Sequence, residues 1–337
     1  MLPACWFYCW KLRGQLTILI FAPAKILKDS FFGVFHWRKT LFGKKPLPFF
    51  MLTKMLSWSP VLYSFPLKEE ENKDLEVKLL KDKYEGTVVL GMNRPKAKNS
   101  FSKNLVKEFY KALDEIENNN RVRCVIIRSL VPGIFCAGAD LKERATMPIN
   151  EVGPFVTRLR GMMAKIHHLS VPVIAALDGA ALGGGLEMAL ACDLRTASHN
   201  AKLGLVETKL AIIPGAGGTQ RLTRLVGTAK AKELIFTGRV LDGKQSEIIG
   251  LVNKSVQQND ENDAAFNAAL DLAEEISVNG PIAVSLAKKA INNGSEVDIN
   301  SGFAYEEAYY AQIIPTKDRV EGLLAFKEKR PPKYRGE

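Results

Sequence analysis

The sequence predicts an α/β fold that ends in a helical subdomain, and two observations carry the prediction. From Thr87 to about Ala176, strand-like and helix-like segments alternate, a pattern that favours parallel strands joined by helical crossovers. Beyond about Asn262 no strand signal remains, and helical segments follow one another to the end of the chain.

Each element has its own warrant. Thr87-Val-Val-Leu-Gly-Met92 reads as a strand, Arg123-Cys-Val-Ile-Ile-Arg128 as a buried one, and Val171-Pro-Val-Ile-Ala-Ala176 as a third. Between the first two, Leu105, Phe109, Ala112, Leu113 and Ile116 recur at helical spacing. Val156, Leu159, Met163 and Ile166 mark one face of a second helix over Glu151–His168. Asp263–Ser277, Pro281–Asn292, Ser301–Ile314 and Lys317–Lys329 then read as helices. Pro281 suits a first helical turn, and Gly280 and Gly294 punctuate the ends. The expected organisation is an α/β core over residues 75–262 and a helical subdomain over 263–337. No internal repeat or low-complexity linker interrupts it.

The net charge of +11 invites a nucleic-acid reading until it is located. Residues 1–68 carry ten Lys or Arg against a single acid, Asp29, so nine of the eleven excess charges lie there. The body is close to neutral. The same stretch holds all four tryptophans, Trp6, Trp10, Trp37 and Trp58, and stops at Glu69-Glu70-Glu71. A basic, acid-poor leader of this kind is expected to be a mitochondrial targeting extension that delivers the body to the matrix. Two other readings stand beside it. Leu16–Phe21 with Ala22-Pro-Ala24 has the form of a short secretory signal and cleavage site, and translation could also start at Met51 or Met55.

With 47% hydrophobic and 25% charged residues, the chain falls outside the disordered, collagenous and disulfide-rich classes. The five cysteines have no metal-ligand spacing. Cys124, Cys136 and Cys192 read as small buried hydrophobes of a reducing compartment. No apolar run reaches the ~20 residues of a membrane span, so no membrane partner is expected.

The chemistry concentrates between Gly133 and Arg221. Gly183-Gly-Gly185 precedes an apolar helical run, Leu186–Cys192, and Ala137-Gly-Ala139 follows Phe135. Glycine at a helix start permits close backbone approach and adds the positive end of the helix dipole. Two such turns can supply N–H donors to a developing oxyanion. Either turn alone is equally an ordinary strand-to-helix connection. Glu187 falls in the first turn of that helix, and Glu207 ends the apolar segment Leu203-Gly-Leu-Val206, a poor place for a solvated charge. Two donor turns with a base and an acid are what adding water across a polarised double bond requires.

Four stretches carry a family resemblance: Asn93-Arg-Pro-Lys-Ala-Lys-Asn99, Ala137-Gly-Ala-Asp-Leu141, Gly179-Ala-Ala-Leu-Gly-Gly-Gly-Leu-Glu187 and Ile213-Pro-Gly-Ala-Gly-Gly-Thr-Gln-Arg221. From about Leu75 to Glu337 the chain resembles the crotonase (enoyl-CoA hydratase/isomerase) family. That resemblance implies a spiral of β-β-α units followed by helices that mediate trimers, which pair into hexamers. It implies that Ala139 and Gly184 donate the oxyanion N–H groups, that Glu187 activates water for the β-carbon, and that Glu207 delivers a proton to the α-carbon. Gly215 would lie beside the water. Lys96, Ala97, Lys98, Ala137 and Leu141 would line the CoA channel, and Phe326 and Lys329 would reach a neighbouring subunit's CoA. No metal or redox cofactor is implied; the CoA thioester is the substrate.

Gly133–Arg144, Gly204–Pro214 and Glu321–Pro331 narrow the resemblance to the branch that hydrates 3-methylglutaconyl-CoA to 3-hydroxy-3-methylglutaryl-CoA in leucine breakdown. A general short-chain hydratase of fatty-acid oxidation and an isomerase needing one glutamate are the alternatives. The branched diacid would need a cation for its distal carboxylate, for which Lys142 and Arg144 are candidates. The same branch implies a lysine comb for AU-rich RNA. Lys103, Lys107 and Lys111 do recur along one helical face, but Glu108, Asp114, Glu115 and Glu117 lie on or beside that helix, and a solvated face is the plainer reading.

Overall fold

The computed structural model describes residues 74–337 together with two strands nearer the start, and the chain divides into two compact units, residues 1–68 and 69–337. In the first unit β1 (Trp6–Leu12) and β2 (Gln15–Phe21) pair antiparallel, with Trp6 opposite Phe21 and Leu12 opposite Gln15. The expected cleavage site at Ala22–Ala24 and the alternative starts Met51 and Met55 lie outside the described residues.

The second unit is built on a six-stranded sheet ordered β11-β9-β7-β5-β4-β3. Its members are β3 (Leu75–Leu79), β4 (Thr87–Met92), β5 (Cys124–Ser129), β7 (Val173–Leu177), β9 (Leu194–Ser198) and β11 (Lys254–Val256). Only the edge pair β3–β4 is antiparallel; the other neighbours run parallel. Both faces of this sheet are covered, which is why its strands read as unbroken apolar runs. Val88, Leu90, Val125, Ile127, Val173 and Ala175 face the main core, while Val89, Cys124, Ile126, Ile174 and Ala176 face a second, smaller one. Strand β7 starts two residues later than the sequence suggests because Pro172 has no N–H for the ladder.

Helix α1 (Lys103–Glu117) buries Leu105, Phe109, Ala112, Leu113 and Ile116 against the main core, and the Ser102 hydroxyl caps it by accepting from the Leu105 N–H at 3.1 Å. The short α2 (Leu141–Thr146) and α3 (Ile149–His168) follow β6 (Ile134–Cys136). The smaller core is closed by α8 (Ala264–Ser277), through Ala269, Leu270 and Ala273.

A second sheet, which no periodicity announced, contains only β6, β8 (Ala180–Leu182) and β10 (Leu203–Gly204), in the order β10-β8-β6 and all parallel. Each short strand follows a long one: β6 follows β5, β8 follows β7, and β10 follows β9. Each then leads into a helical element, so β-β-α units spiral along the chain. The helices after β6 are α2 and α3; α4 (Gly184–Ala191) follows β8, and the 3-10 turn Glu207–Leu210 with α5 (Gly218–Val226) follows β10. Then come α6 (Thr228–Thr237) and α7 (Gly243–Ile248).

The helical C-terminal region continues with α9 (Pro281–Gly294), α10 (Ile299–Ile313) and α11 (Lys317–Glu328). Lys288 of α9 ties this region to the sheet: its ammonium is 2.7 Å from the Asp193 carboxylate and donates to the Val171 carbonyl at 2.9 Å. Helix α10 rests on α9, where Gly294 and Gly302 let the backbones approach, and buries none of its own side chains fully.

Candidate active site

The three short strands are parallel neighbours, so their C-terminal ends emerge along one edge of the small sheet. β6 runs into Ala137–Asp140, β8 into Gly183 and α4, and β10 into the turn that begins at Glu207. The topology thus collects the sequence-predicted turns and glutamates in one place.

The two glycine turns are packed against each other. Gly138 has a φ of +90°, and a Cβ there would lie 2.8 Å from the Leu182 carbonyl oxygen and 3.0 Å from the Gly184 nitrogen. The orientation of the Ala139 N–H follows from a parallel bridge with Phe101. The Phe101 N–H donates to the Gly138 carbonyl at 2.8 Å, and the Asp140 N–H to the Phe101 carbonyl at 3.3 Å. Those bonds turn the Ala139 N–H away from Phe101. Gly184 is the first residue of α4, where helix N–H groups have no partner in their own helix. Among the described residues, neither N–H meets an acceptor. The sequence suggests that α4 begins at Leu186; it begins two residues earlier, so Gly184 and Gly185 belong to its first turn. Gly185 permits this, because a Cβ there would sit 2.1 Å from the Cys136 carbonyl oxygen.

A polar scaffold holds the first turn, and the sequence reading missed it. Asn99 is fully buried and left-handed, with a φ of +54°. Its Oδ1 accepts from the Arg94 N–H at 2.7 Å, and its amide donates to Ser129 Oγ at 2.7 Å and to the Phe135 carbonyl at 3.0 Å. The Arg94 guanidinium donates to the Ser100 carbonyl and lies 3.3 Å from Asp74 and 3.5 Å from Asp140. Asp140 in turn caps α2, accepting from the Lys142 and Glu143 N–H groups. Asn99 and Arg94 lie within the first motif, so the signal was present; their roles depend on contacts across tens of residues.

The two carboxylates have different surroundings. Glu187 is buried, and its Oε1 accepts from the Ala216 and Gly218 N–H groups, each at 2.8 Å. Burial raises its pKa, opposed by those two N–H groups and by the charges of Arg221 and Arg160. Glu207 lies against the other turn, where a Cβ on Gly183 would be 3.3 Å from Glu207 Oε1. Its buried Oε2 has no hydrogen-bond partner. Burial pushes the Glu207 pKa up to about 7, offset in part by its own backbone N–H and reinforced by the negative charge of Glu187. Two carboxylates with separated affinities for a proton are the usual form of a base and acid pair.

The other predicted positions divide into near and far. Gly215 adjoins the loop that holds Glu187; its carbonyl accepts from Arg160 Nε at 3.0 Å, and Val156 lies against it. Ala137 meets the Lys96–Lys98 turn, donating its N–H to the Lys98 carbonyl at 3.0 Å, with Ala97 half-buried and Lys96 and Lys98 exposed. Leu141 opens α2. Phe326 and Lys329 stand exposed at the far end of α11, and no contact brings them to the glutamates. Lys142 is exposed, and the Arg144 guanidinium covers the Phe155 ring at 5.5 Å. On α1, Lys103 pairs with Glu151 at 2.6 Å, and Lys107 and Lys111 are exposed beside it.

Three cysteine thiols are buried in the core. Burial pushes the thiols of Cys124, Cys136 and Cys192 up to about 12, which keeps them protonated and unreactive. Among the described residues no His, Cys, Asp or Glu cluster could hold a metal ion, and no helix is long and apolar enough to cross a membrane.

Paired β-β-α units, two unpartnered N–H groups and two unlike glutamates define a fold and site of crotonase type. The chain belongs to the enoyl-CoA hydratase/isomerase family, whose model matches residues 82–337. It is 60% identical over 275 residues to the mitochondrial methylglutaconyl-CoA hydratase of Homo sapiens, covering 82% of this chain and 80% of that protein. It is 54% identical over 263 residues to the mitochondrial enoyl-CoA hydratase domain-containing protein 2 of Mus musculus, covering 78% and 89%. The crystal structure of an enoyl-CoA hydratase from Bacillus anthracis superposes with a TM-score of 0.75 at 46% identity, covering 78% of this chain and all of that one.

Proposed function

We propose that this protein is a mitochondrial enoyl-CoA hydratase that adds water to 3-methylglutaconyl-CoA, forming 3-hydroxy-3-methylglutaryl-CoA. The observation that carries the reading is the pairing of two unlike glutamates with two free N–H groups at one sheet edge. The Ala139 and Gly184 N–H groups hold the thioester oxygen and stabilise the negative charge that grows there as the enolate forms; one such donor is typically worth ~10²–10³ in rate. With Glu187 Oε1 taken by Ala216 and Gly218, its other oxygen orients the water near Gly215 and takes a proton from it. The new C–O bond forms at the β-carbon, and Glu207 delivers a proton to the α-carbon. A pKa near 7 lets Glu207 give up that proton at neutral pH and regain it from the water-derived proton on the pair.

Retention of both carboxylates favours a hydratase over an isomerase. The branched diacid is favoured by the relative named for that substrate. The Lys96–Lys98 turn and Ala137, joined by the Ala137 N–H bond to the Lys98 carbonyl, form the wall along which the CoA chain runs. Exposed apolar residues on α10 and α11, among them Phe303, Tyr310, Leu323 and Phe326, suit burial between subunits of a trimer or hexamer. Such an assembly would bring Phe326 and Lys329 to a neighbouring CoA. The leader of residues 1–68 then serves import to the matrix and is removed. Lys103, paired with Glu151, weighs against an RNA role for the α1 stripe.

The deciding experiment is steady-state hydration by the purified protein, comparing 3-methylglutaconyl-CoA with crotonyl-CoA, with Glu187→Gln beside it. Preference for the diacid, abolished in the variant, supports the reading. Preference for crotonyl-CoA moves the protein to general fatty-acid oxidation, and no turnover of either refutes the glutamate assignment.

A further inference from the structure

We infer that Arg160 binds the distal carboxylate of the substrate and sets the preference for a diacid; the inference rests on the hydratase reading above. The chemistry of the substrate limits where that ligand can be. Water adds at the β-carbon, and the distal carboxylate is attached to the same carbon through a single methylene. Its cation must therefore stand within reach of the β-carbon, at the end of the site where Glu187 acts, and away from the oxyanion turns.

Arg160 stands there. It lies on α3 one helical turn after Val156, and both side chains meet Gly215: Val156 by close packing, Arg160 by donating from Nε to the carbonyl at 3.0 Å. Gly215 leads directly into Ala216 and Gly218, whose N–H groups hold Glu187. The positive charge of Arg160 accordingly reaches the Glu187 carboxylate. Its Nε bond anchors the guanidinium, and among the described residues its terminal nitrogens make no hydrogen bond or ion pair, so the Nη1–Nη2 edge remains for bidentate contact with a carboxylate.

The competing cations are placed less well. Arg221 is spent on the Ala216 carbonyl, at 3.2 Å, and is partly buried beneath the loop. Arg144 covers the Phe155 ring. Lys142, exposed as Arg160 is, makes no side-chain contact with the Glu187 loop.

The test replaces Arg160 by Met, which keeps the length and apolar stem, and by Lys, which keeps the charge. Arg144→Met is the rival. For each, kcat and KM are measured with 3-methylglutaconyl-CoA and with crotonyl-CoA. Arg160→Met is expected to lower the diacid-to-crotonyl ratio of kcat/KM by about 10–100-fold, the range for a lost hydrogen bond to a charged group, mainly through KM. Arg160→Lys should recover part of that loss. An equal fall on both substrates would assign Arg160 to holding the Glu187 loop and overturn the inference. So would an unchanged ratio, or a fall confined to Arg144→Met. If the parent protein turns over crotonyl-CoA but no diacid, the substrate reading itself fails, an outcome distinct from any of these.

Discussion

Gly138 and Gly184 are in backbone contact: a methyl on the first would sit 3.0 Å from the nitrogen of the second. The consequence is that two N–H donors from different β-β-α units are held at a fixed separation without any side chain between them. Preorganised donors of this kind need no rearrangement as charge develops.

Gly138→Ala should therefore damage both the turn and the reaction. The Cβ would strike the Leu182 carbonyl at 2.8 Å, and a φ of +90° is strained for any residue with a side chain. We expect a loss of about 10²–10³ in kcat and destabilisation of at least ~1–2 kcal/mol, read by steady-state kinetics and urea unfolding. Wild-type kcat in a folded variant would remove Ala139 from the donor pair.

Glu187→Gln and Glu207→Gln should each cost about 10²–10⁴ in kcat while circular dichroism stays native. The double variant should be little worse than either single, because the two act as a unit. Retention of near-normal hydration in one single variant would mean that a lone carboxylate suffices.

The pH profile follows from the two environments. kcat/KM should be bell-shaped, with its alkaline limb near pH 7 as Glu207 loses the proton it donates. Glu187→Gln removes a neighbouring negative charge, so Glu207 in that variant should titrate lower, as followed by carbon-13 NMR of labelled glutamate. An unshifted titration would show that the two groups are not coupled.

Stability carries the same signature with a definite sign. Between the ordinary glutamate value of 4.5 and about 7, folded Glu207 keeps a proton that the unfolded chain releases. Its contribution is complete below 4.5 and is lost as pH rises to about 7. Glu207→Gln should be more stable than the parent at pH 8, by ~1 kcal/mol after allowance for solvent screening, or about 2–4 °C in Tm. Near pH 4 the two melting curves should coincide; a constant offset at both pH values would point to packing instead of charge.

Asn99→Ala tests the scaffold below the oxyanion turn. Three hydrogen bonds disappear from a fully buried position, and alanine inherits a φ of +54°. A loss of about 3 kcal/mol is expected, at the upper end for orphaned buried groups, with a fall in kcat as Ala137–Asp140 loosens. Unchanged thermal stability would show that Arg94 and Asp140 suffice to hold the segment.

Much of this protein is written locally. The strands of the large sheet are legible because burial on both faces demands continuous apolar runs, and α1 and α3 because their core-facing residues recur every three to four positions. The two glutamates and the glycine turns stand out for the same local reason: a charge or a bare backbone sits where neither is ordinary. The small sheet is different. Its strands have two or three residues each, too few for any period, and they exist only because the long strands before them deliver them side by side. That pairing decides that Ala139, Gly184 and Glu207 share one edge. It also decides the proton affinities, since desolvation depends on what packs around a carboxylate and not on its neighbours in sequence. Arg160 was invisible for a related reason: on a helix its charge looks like any solvated face, and only the packing of α3 on Gly215 gives it a position in the site.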